Sequence, residues 1–294
     1  MNIAVVGSLN MDMVVTAPRI PLKGETITGQ ALHFVPGGKG ANQAVALGRL
    51  GADVTMFGCV GDDDFGRQLI ENLAANSVKA ARVRTLQGVT TGVAMITVGD
   101  GDNSIVVVPG ANGQVGRAYI DSIKEELLQN QLVILQLEIP LDTATYVVDL
   151  CHQAGVAVLL NPAPALKLSA DLIEKITFVT PNEHEAAIVF DDQGDYRELL
   201  RRYPEKLIIT QGSAGASFAG KNGEVHQIPA SPATVVDTTG AGDTFNAALA
   251  YAWSQNLSLD KVLLFANCAA GLSTEKFGAQ GGMPTLAQVT ARLT

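Results

Sequence analysis

A chain of 294 residues with 47% hydrophobic but only 5% aromatic content has apolar material for a sizeable core. It excludes a disordered chain and suits helices packed on a sheet better than an aromatic-rich sandwich. A net charge of −9, with no Lys/Arg run longer than Arg201-Arg202, excludes the basic footprint that nucleic acid or an anionic membrane requires, so any phosphate must be held by local geometry. Cys59, Cys151 and Cys268 form no CxxC pair and the four histidines no HExxH or HxH spacing, which leaves a disulfide framework or a zinc site without support.

The first stretch, MNIAVVGSLNMD, lacks a basic n-region and places Asn10 and Asp12 where a signal peptide needs apolar residues, so a cytoplasmic location is expected. IAVVGS reads as a buried strand. Asn10 and Asp12, two apart at its end, are suited to embracing neighbouring hydroxyls, although turn formation accounts for each alone. MVVTAPRI…ETITGQALHFV follows as strand-turn-strand without a helix. In GGKGANQ, ahead of a helix, Gly38 lets backbone approach a small ligand, and Lys39 and Asn42 supply donors suited to sugar hydroxyls. It is neither a Walker A loop nor GxGxxG, which disfavours a dinucleotide-dependent oxidoreductase.

DVTMFGCV and DFGRQLIENLAAN read as the next strand and helix, and TGVAMITVGDGDNSIVVV as a second strand-turn-strand. LVILQLEI ends in Glu138, which can join Asn10 and Asp12. LDTATYVVDLCHQAG reads as a helix and VAVLLN as a strand. ITFVTPN leads into a helical EHEAAIVF, with Asn182 and Glu185 three apart at the helix start. That spacing suits a phosphate oxygen and a Mg²⁺-bound water, and helix capping equally well. KLIIT then ends in TQGSAG. In VVDTTGAGDTF, Gly240, Ala241 and Gly242 open a helix whose unpaired N–H groups and dipole favour an anion, and Asp243 stands ready to accept a proton from an attacking hydroxyl. Asp237 with the Thr238 and Thr239 carbonyls fits a monovalent-cation loop, or a threonine-rich turn.

Nearly continuous apolar strands between helices give an α/β fold, a mostly parallel central sheet flanked by helices. Polar motifs fall where strands stop, which is where an open α/β sheet binds ligands. A single domain over 1–294 is expected, carrying a discontinuous antiparallel lid near 12–36 and 91–109.

GGKGANQA, NEHE, TQGSAG and DTTGAGDTF, in that order along the chain, resemble the signatures of the ribokinase-like (PfkB-type) carbohydrate kinases over residues 3 to 290. GSLNMD and GGKGANQA are most similar to the branch that phosphorylates D-ribose. The resemblance implies a sheet sandwiched by helices, a β lid that builds a homodimer interface, and transfer of the ATP γ-phosphoryl group to a sugar's primary hydroxyl. It places Asn10, Asp12, Gly38, Lys39, Asn42 and Glu138 at sugar-binding positions and Asp243 at the catalytic base, with Gly240, Ala241 and Gly242 as the anion hole. Asn182 and Glu185 then face the Mg²⁺-phosphate region, and Thr210, Gly212, Gly215 and Asn267 the nucleotide. Asp237, Thr239, Ser273, Gly278 and Gly282 match potassium-site loops. Two features depart from the family pattern: a short segment between PNEHE and KLIIT, and GAQGGMP, with glycine where a serine ligand is usual. Other acceptors compatible with these residues are 2-deoxyribose, a ketohexose, adenosine or pseudouridine. A sugar-binding protein without catalysis is the reading from a different class.

Overall fold

The central strands are apolar along their whole length because both of their faces are covered. In the computed structural model, which describes residues 2–294, Ile3 and Val5 of the first strand enter one buried core while Ala4 and Val6 enter another. In chain order the elements begin with β1 (Asn2–Val6), β2 (Asn10–Thr16), β3 (Ala31–Gly37), α1 (Lys39–Arg49), β4 (Asp53–Gly61), α2 (Asp64–Ala75), β5 (Lys79–Leu86), β6 (Gly92–Gly99), β7 (Asp102–Val108) and α3 (Arg117–Leu127). β8 (Leu132–Gln136), α4 (Leu141–Ala154), β9 (Ala157–Asn161), α5 (Ala170–Lys175), β10 (Phe178–Val179), α6 (Glu183–Val189), α7 (Tyr196–Arg202) and β11 (Ile208–Thr210) follow. The chain closes with β12 (Ala216–Ala219), β13 (Val225–Ile228), α8 (Ala241–Ser254), α9 (Leu259–Ser273) and α10 (Leu286–Leu293).

Six parallel strands form the main sheet in the order β10-β9-β8-β1-β4-β5. Residues of α1, α2, α8 and α9 fill the core on one face, and residues of α3 to α7 the core on the other. The expected parallel sheet flanked by helices is therefore present. One expectation needs correction: the strand from KLIIT, β11, belongs to a separate antiparallel sheet, β11-β12-β13, and meets the main sheet only as isolated bridges, Val179 to Leu207 and Asn182 to Thr210. The turn after Thr210 sends the chain back on itself, so β11 finds its ladder with β12.

The two strand-turn-strand stretches form one four-stranded sheet, β3-β2-β6-β7. It is mixed rather than antiparallel throughout. Each hairpin is antiparallel, but β2 and β6 pair in parallel from Asn10–Gly92 to Thr16–Val98. The cause is topological: β2 follows β1 and β6 follows β5, parallel strands of one sheet, so both depart from the same edge in the same direction.

A carboxylate helps tie this small sheet to the main one, beside a bond from Gly61 N to Thr91 Oγ1 at 3.0 Å. Asp63 caps α2, its Oδ1 accepting from Gly66 N at 2.8 Å and from Thr91 Oγ1 at 2.6 Å, while Oδ2 accepts from Thr91 N at 2.7 Å. Partial burial would raise its pKa, but these donors outweigh burial and hold it below the ordinary value. Asp63→Ala is expected to lower the free energy of unfolding by about 1–2 kcal/mol in urea titrations near neutral pH. Because the folded pKa is depressed, the wild-type advantage is present above the ordinary 3.8 and lost as pH falls through the folded value, so the gap closes in acid.

Candidate active site

Beyond the carboxyl ends of β1 and β8, and at the start of α1, four polar segments converge. Gly38 caps α1 at φ 86°, and a Cβ there would lie 2.7 Å from Asn10 N; only glycine lets the two backbones touch. Lys39 N donates to Glu138 Oε2 at 3.0 Å, and Ser8 Oγ donates to the same oxygen at 2.5 Å. Asn112 Nδ2 donates to Asn10 Oδ1 at 2.7 Å. Asn10, Lys39, Glu138, Asn112 and Val107 share a cavity of about 490 Å³. Asp12 lies against Gly37, the neighbour of Gly38.

Asp243 sits in the first turn of α8, 7% exposed. Its Oδ1 accepts from Gln43 Nε2 at 3.0 Å and its Oδ2 from Asn42 Nδ2 at 2.9 Å. Gln43 is in turn fixed by Gln136 Nε2, which donates to its Oε1 at 2.6 Å. Burial raises the Asp243 pKa; Lys39 and the two amide donors oppose it, and Glu138 adds to it. Burial alone would lower the Lys39 pKa, but Asp243, Glu138 and Glu185 hold the ammonium above its ordinary value. For Asp12, burial, then Glu138, then Asp243 push the pKa up to about 7. The site is thus one lysine among crowded carboxylates.

A second cavity, of about 610 Å³, is lined by Thr210, Gly212, Gly215, Asn267 and, just before Asp243 in the chain, Ala241 and Gly242 among others. Gly240 caps α8 at φ 78°, where a Cβ would meet the Ala279 carbonyl oxygen at 2.4 Å. Of the three backbone groups expected to greet an anion, Ala241 N already donates to Thr238 O at 3.2 Å. An ideal Cβ on Gly242 would have no neighbour within 4 Å, which leaves that backbone open to the cavity. Asn267 Nδ2 donates to the carbonyls of Ile228 and Pro229 at 2.8 and 3.1 Å, joining α9 to the end of β13.

Asn182 and Glu185 form a reciprocal capping box on α6, each side chain accepting from the other's backbone N–H at 2.8 and 2.9 Å. The cap accounts for their spacing, while Glu185 is still close enough to act on the Lys39 charge. The segments expected to hold a cation meet. Asp237 Oδ1 accepts from Thr239 N at 2.9 Å and Oδ2 from Gly278 N at 2.8 Å, and Gly282 packs against the Ser273 carbonyl. Burial would raise the Asp237 pKa, but these backbone donors prevail and hold it low. No group of three or more His, Cys, Asp or Glu that could hold a metal occurs among the described residues.

Four residues of the site carry no role in the sequence reading. Ser8 and Gln43 adjoin motif residues, and that adjacency is the signal that could have found them. Asn112 lies in the one-turn helix Gly110–Gln114 and Gln280, which donates to Asn42 Oδ1 at 2.9 Å, in the carboxy-terminal loop. They reach the site only through tertiary contact.

Comparison with known proteins gives a consistent result. Residues 1–286 match the pfkB family carbohydrate kinases. The chain is 47% identical over 293 residues to the ribokinase of Bacillus subtilis (strain 168), covering 100% of this chain and 99% of that protein. The crystal structure of ribokinase from Thermotoga maritima superposes with a TM-score of 0.89 at 31% identity, covering 99% of this chain and 98% of that one. Arabidopsis thaliana ribokinase complexed with ribose and ATP gives 0.88 at 31% identity, with 99% and 98% coverage.

The raised Asp12 pKa makes a stability prediction for the ligand-free protein. The folded state keeps its proton up to about 7 whereas the unfolded chain releases it near 3.8, so Asp12 lowers stability progressively as pH rises through that window. Asp12→Asn is expected to be the more stable protein above pH 7, by up to about 4 kcal/mol in thermal melts, with the difference vanishing below 3.8.

Proposed function

The chain belongs to the pfkB family of carbohydrate kinases and is an ATP-dependent sugar kinase; we propose that it phosphorylates D-ribose at O5, giving ribose 5-phosphate and ADP. The observation that carries this reading is that Asp243 directly follows Gly242, which lines one cavity with Asn267, and feels the charges of Lys39 and Glu138, which line the other with Asn10. The sugar occupies the cavity of Asn10 and ATP that of Asn267. Asn10 and Asp12 take neighbouring ring hydroxyls, with Gly38, Lys39, Asn42 and Glu138 around the rest. The 47% identity to the Bacillus ribokinase and the likeness to the Arabidopsis ribokinase, complexed with ribose and ATP, favour ribose over the other acceptors.

Asp243 accepts the O5 proton as O5 bonds to the γ-phosphorus and the bond to the β,γ-bridging oxygen breaks, leaving ADP. The Gly240-Ala241-Gly242 turn presents the amino end of α8 to the transferring group, where a helix favours negative charge. Thr210, Gly212, Gly215, Asn182 and Asn267 border the nucleotide. Mg²⁺ fits a site of this kind, because it needs few protein carboxylates beside water and substrate phosphates; bound, it neutralises phosphate charge, and Glu185 is the carboxylate to hold its water. A monovalent cation such as K⁺ fits the lone ionised carboxylate of Asp237 beside the carbonyl-rich turns at Thr239, Ser273, Gly278 and Gly282.

The small sheet acts as a lid over the sugar, to which it already contributes Val107. Its edge strand β7 exposes Ile105, Val106, Val107 and Val108, joined by Met95, Leu32 and Phe34. An apolar patch on an unpaired edge invites a partner, and a second copy of the chain is the one proposed. The reading places this dimer in the cytoplasm, with no nucleic-acid or membrane partner; no helix among the described residues is long and apolar enough to cross a membrane. Val106→Asp, a residue now 61% exposed, is expected to yield a monomer in analytical ultracentrifugation. A wild type that is monomeric at micromolar concentration defeats the dimer.

Mg-ATP-dependent transfer to D-ribose, read as product mass, tests the activity itself. Folded Asp243→Asn is expected to lose about 10²–10⁴ in kcat, and 2-deoxyribose to be the poorer acceptor by about tenfold in kcat/KM, the consequence of one buried acceptor left unpaired. Ribose binding without transfer would instead indicate a sugar-binding protein that does no chemistry.

A further inference from the structure

Behind Asp243 runs a line of side-chain amides of which only the first, Asn42, belongs to the proposed sugar site. Arg49 Nε donates to Asn76 Oδ1 at 2.8 Å, and Asn76 Nδ2 donates to the Asn72 carbonyl oxygen at 2.8 Å and to its Oδ1 at 3.4 Å. Asn72 Nδ2 donates to Gln280 Oε1 at 2.8 Å, Gln280 Nε2 to Asn42 Oδ1 at 2.9 Å, and Asn42 Nδ2 to Asp243 Oδ2 at 2.9 Å. Every link points the same way, and both ends force the direction: a guanidinium can only donate and a carboxylate can only accept. The amides between them, each able to turn end for end, are thereby set in one orientation. Arg49 grips the chain twice, its Nη1 also donating to the carbonyl oxygens of Gln280 and Met283.

We propose that Gln280 and Asn72 are positioning residues of the phosphoryl-transfer site, which keep the Asn42 amide turned with its donor on Asp243 and so hold that carboxylate in its proton-accepting form. The inference rests on reading Asp243 as the base. Without Gln280, Oδ1 of the buried Asn42 loses its donor. Turning the amide over sets oxygen against carboxylate oxygen, a contact that becomes favourable only when Asp243 takes up a proton. The other charged groups acting on Asp243 are Lys39 on α1, Asp12 on β2 and Glu138 beyond β8, and none of them is altered by changing Gln280 or Asn72.

The test is kcat against pH at saturating Mg-ATP and ribose for the wild type, Gln280→Met and Asn72→Leu, with melting temperatures alongside. Activity falls in acid as Asp243 protonates. Losing a donor to the ionised form moves that acid limb to higher pH, by about one pH unit for Gln280→Met and by less, in the same direction, for Asn72→Leu. The KM for ATP stays at the wild-type value. A purely structural role lowers the melting temperature and leaves the limb where it was; an unmoved limb in the folded variants overturns the proposal. Should Gln280→Met fail to fold, Asn72→Leu decides the matter alone. If Asp243→Asn keeps its turnover, the assignment of the base falls; if it is inactive and the limb does not move, only the roles of Gln280 and Asn72 fall.

Discussion

A carboxylate removed from water at the start of a helix is the constraint that the rest of this structure serves. An unpaired buried carboxylate takes up a proton rather than keep its charge, and the role proposed for Asp243 needs the ionised form. The compensation here is two neutral amide donors, the amino end of α8 and a lysine in the neighbouring cavity. A guanidinium bound bidentately to the carboxylate would hold the charge more firmly, but by favouring the ionised form it would weaken the base. Amides satisfy the oxygens while leaving proton affinity raised by burial, which suits the proton-accepting role proposed for Asp243.

That arrangement demands precise placement of residues far apart in the chain. Asn42 and Asp243 are separated by 201 positions, and Ser8 and Glu138 by 130. The parallel sheet supplies the placement. Its strands all end at one edge, so whatever follows β1 and β8 is delivered to the same side, and the small sheet departs from that edge too. Helices α1 and α8 pack together in the core on one face of the sheet, which brings Asn42 and Gln43 against Asp243. The anchor at Asp63 and Thr91 then fixes where the second hairpin leaves the edge.

The main features were legible because they are local. Apolar runs such as LVILQL and IAVV mark central strands, the polar residues just past them point to Asn10, Asp12 and Glu138, and the glycines that open a helix point to Asp243. β5, KAARVRTL, is not legible, because an edge strand with mostly exposed residues lacks the continuous apolar signal; α3, with a buried stripe of Tyr119, Ile120, Ile123 and Leu127, lacks the capping side chain that would mark its start. Asn182 and Glu185 show a different limit. A capping box and a phosphate-metal pair require the same three-residue spacing on one face, so spacing cannot separate them, and the bonds settle only the cap. Asn112 and Gln280 are illegible in principle: their partners lie 102 and 238 positions away, and nothing in their surroundings distinguishes them from turn residues.

The crowding of Asp12, Glu138 and Asp243 about Lys39 has a consequence for a sugar kinase. A cavity with more acids than bases is hospitable to a neutral polyol, whose hydroxyls donate to carboxylates, and hostile to phosphate. The amino end of α8, with the open backbone of Gly242, is the reverse. On the proposed assignment of the two cavities, the two substrates are therefore sorted by field before any specific contact forms. Transfer changes the sign of the argument for one of them. Once phosphorylated, the sugar is an anion, and its new charge lies beside carboxylates that repel it. The same electrostatics that admit the sugar thus work against keeping the product.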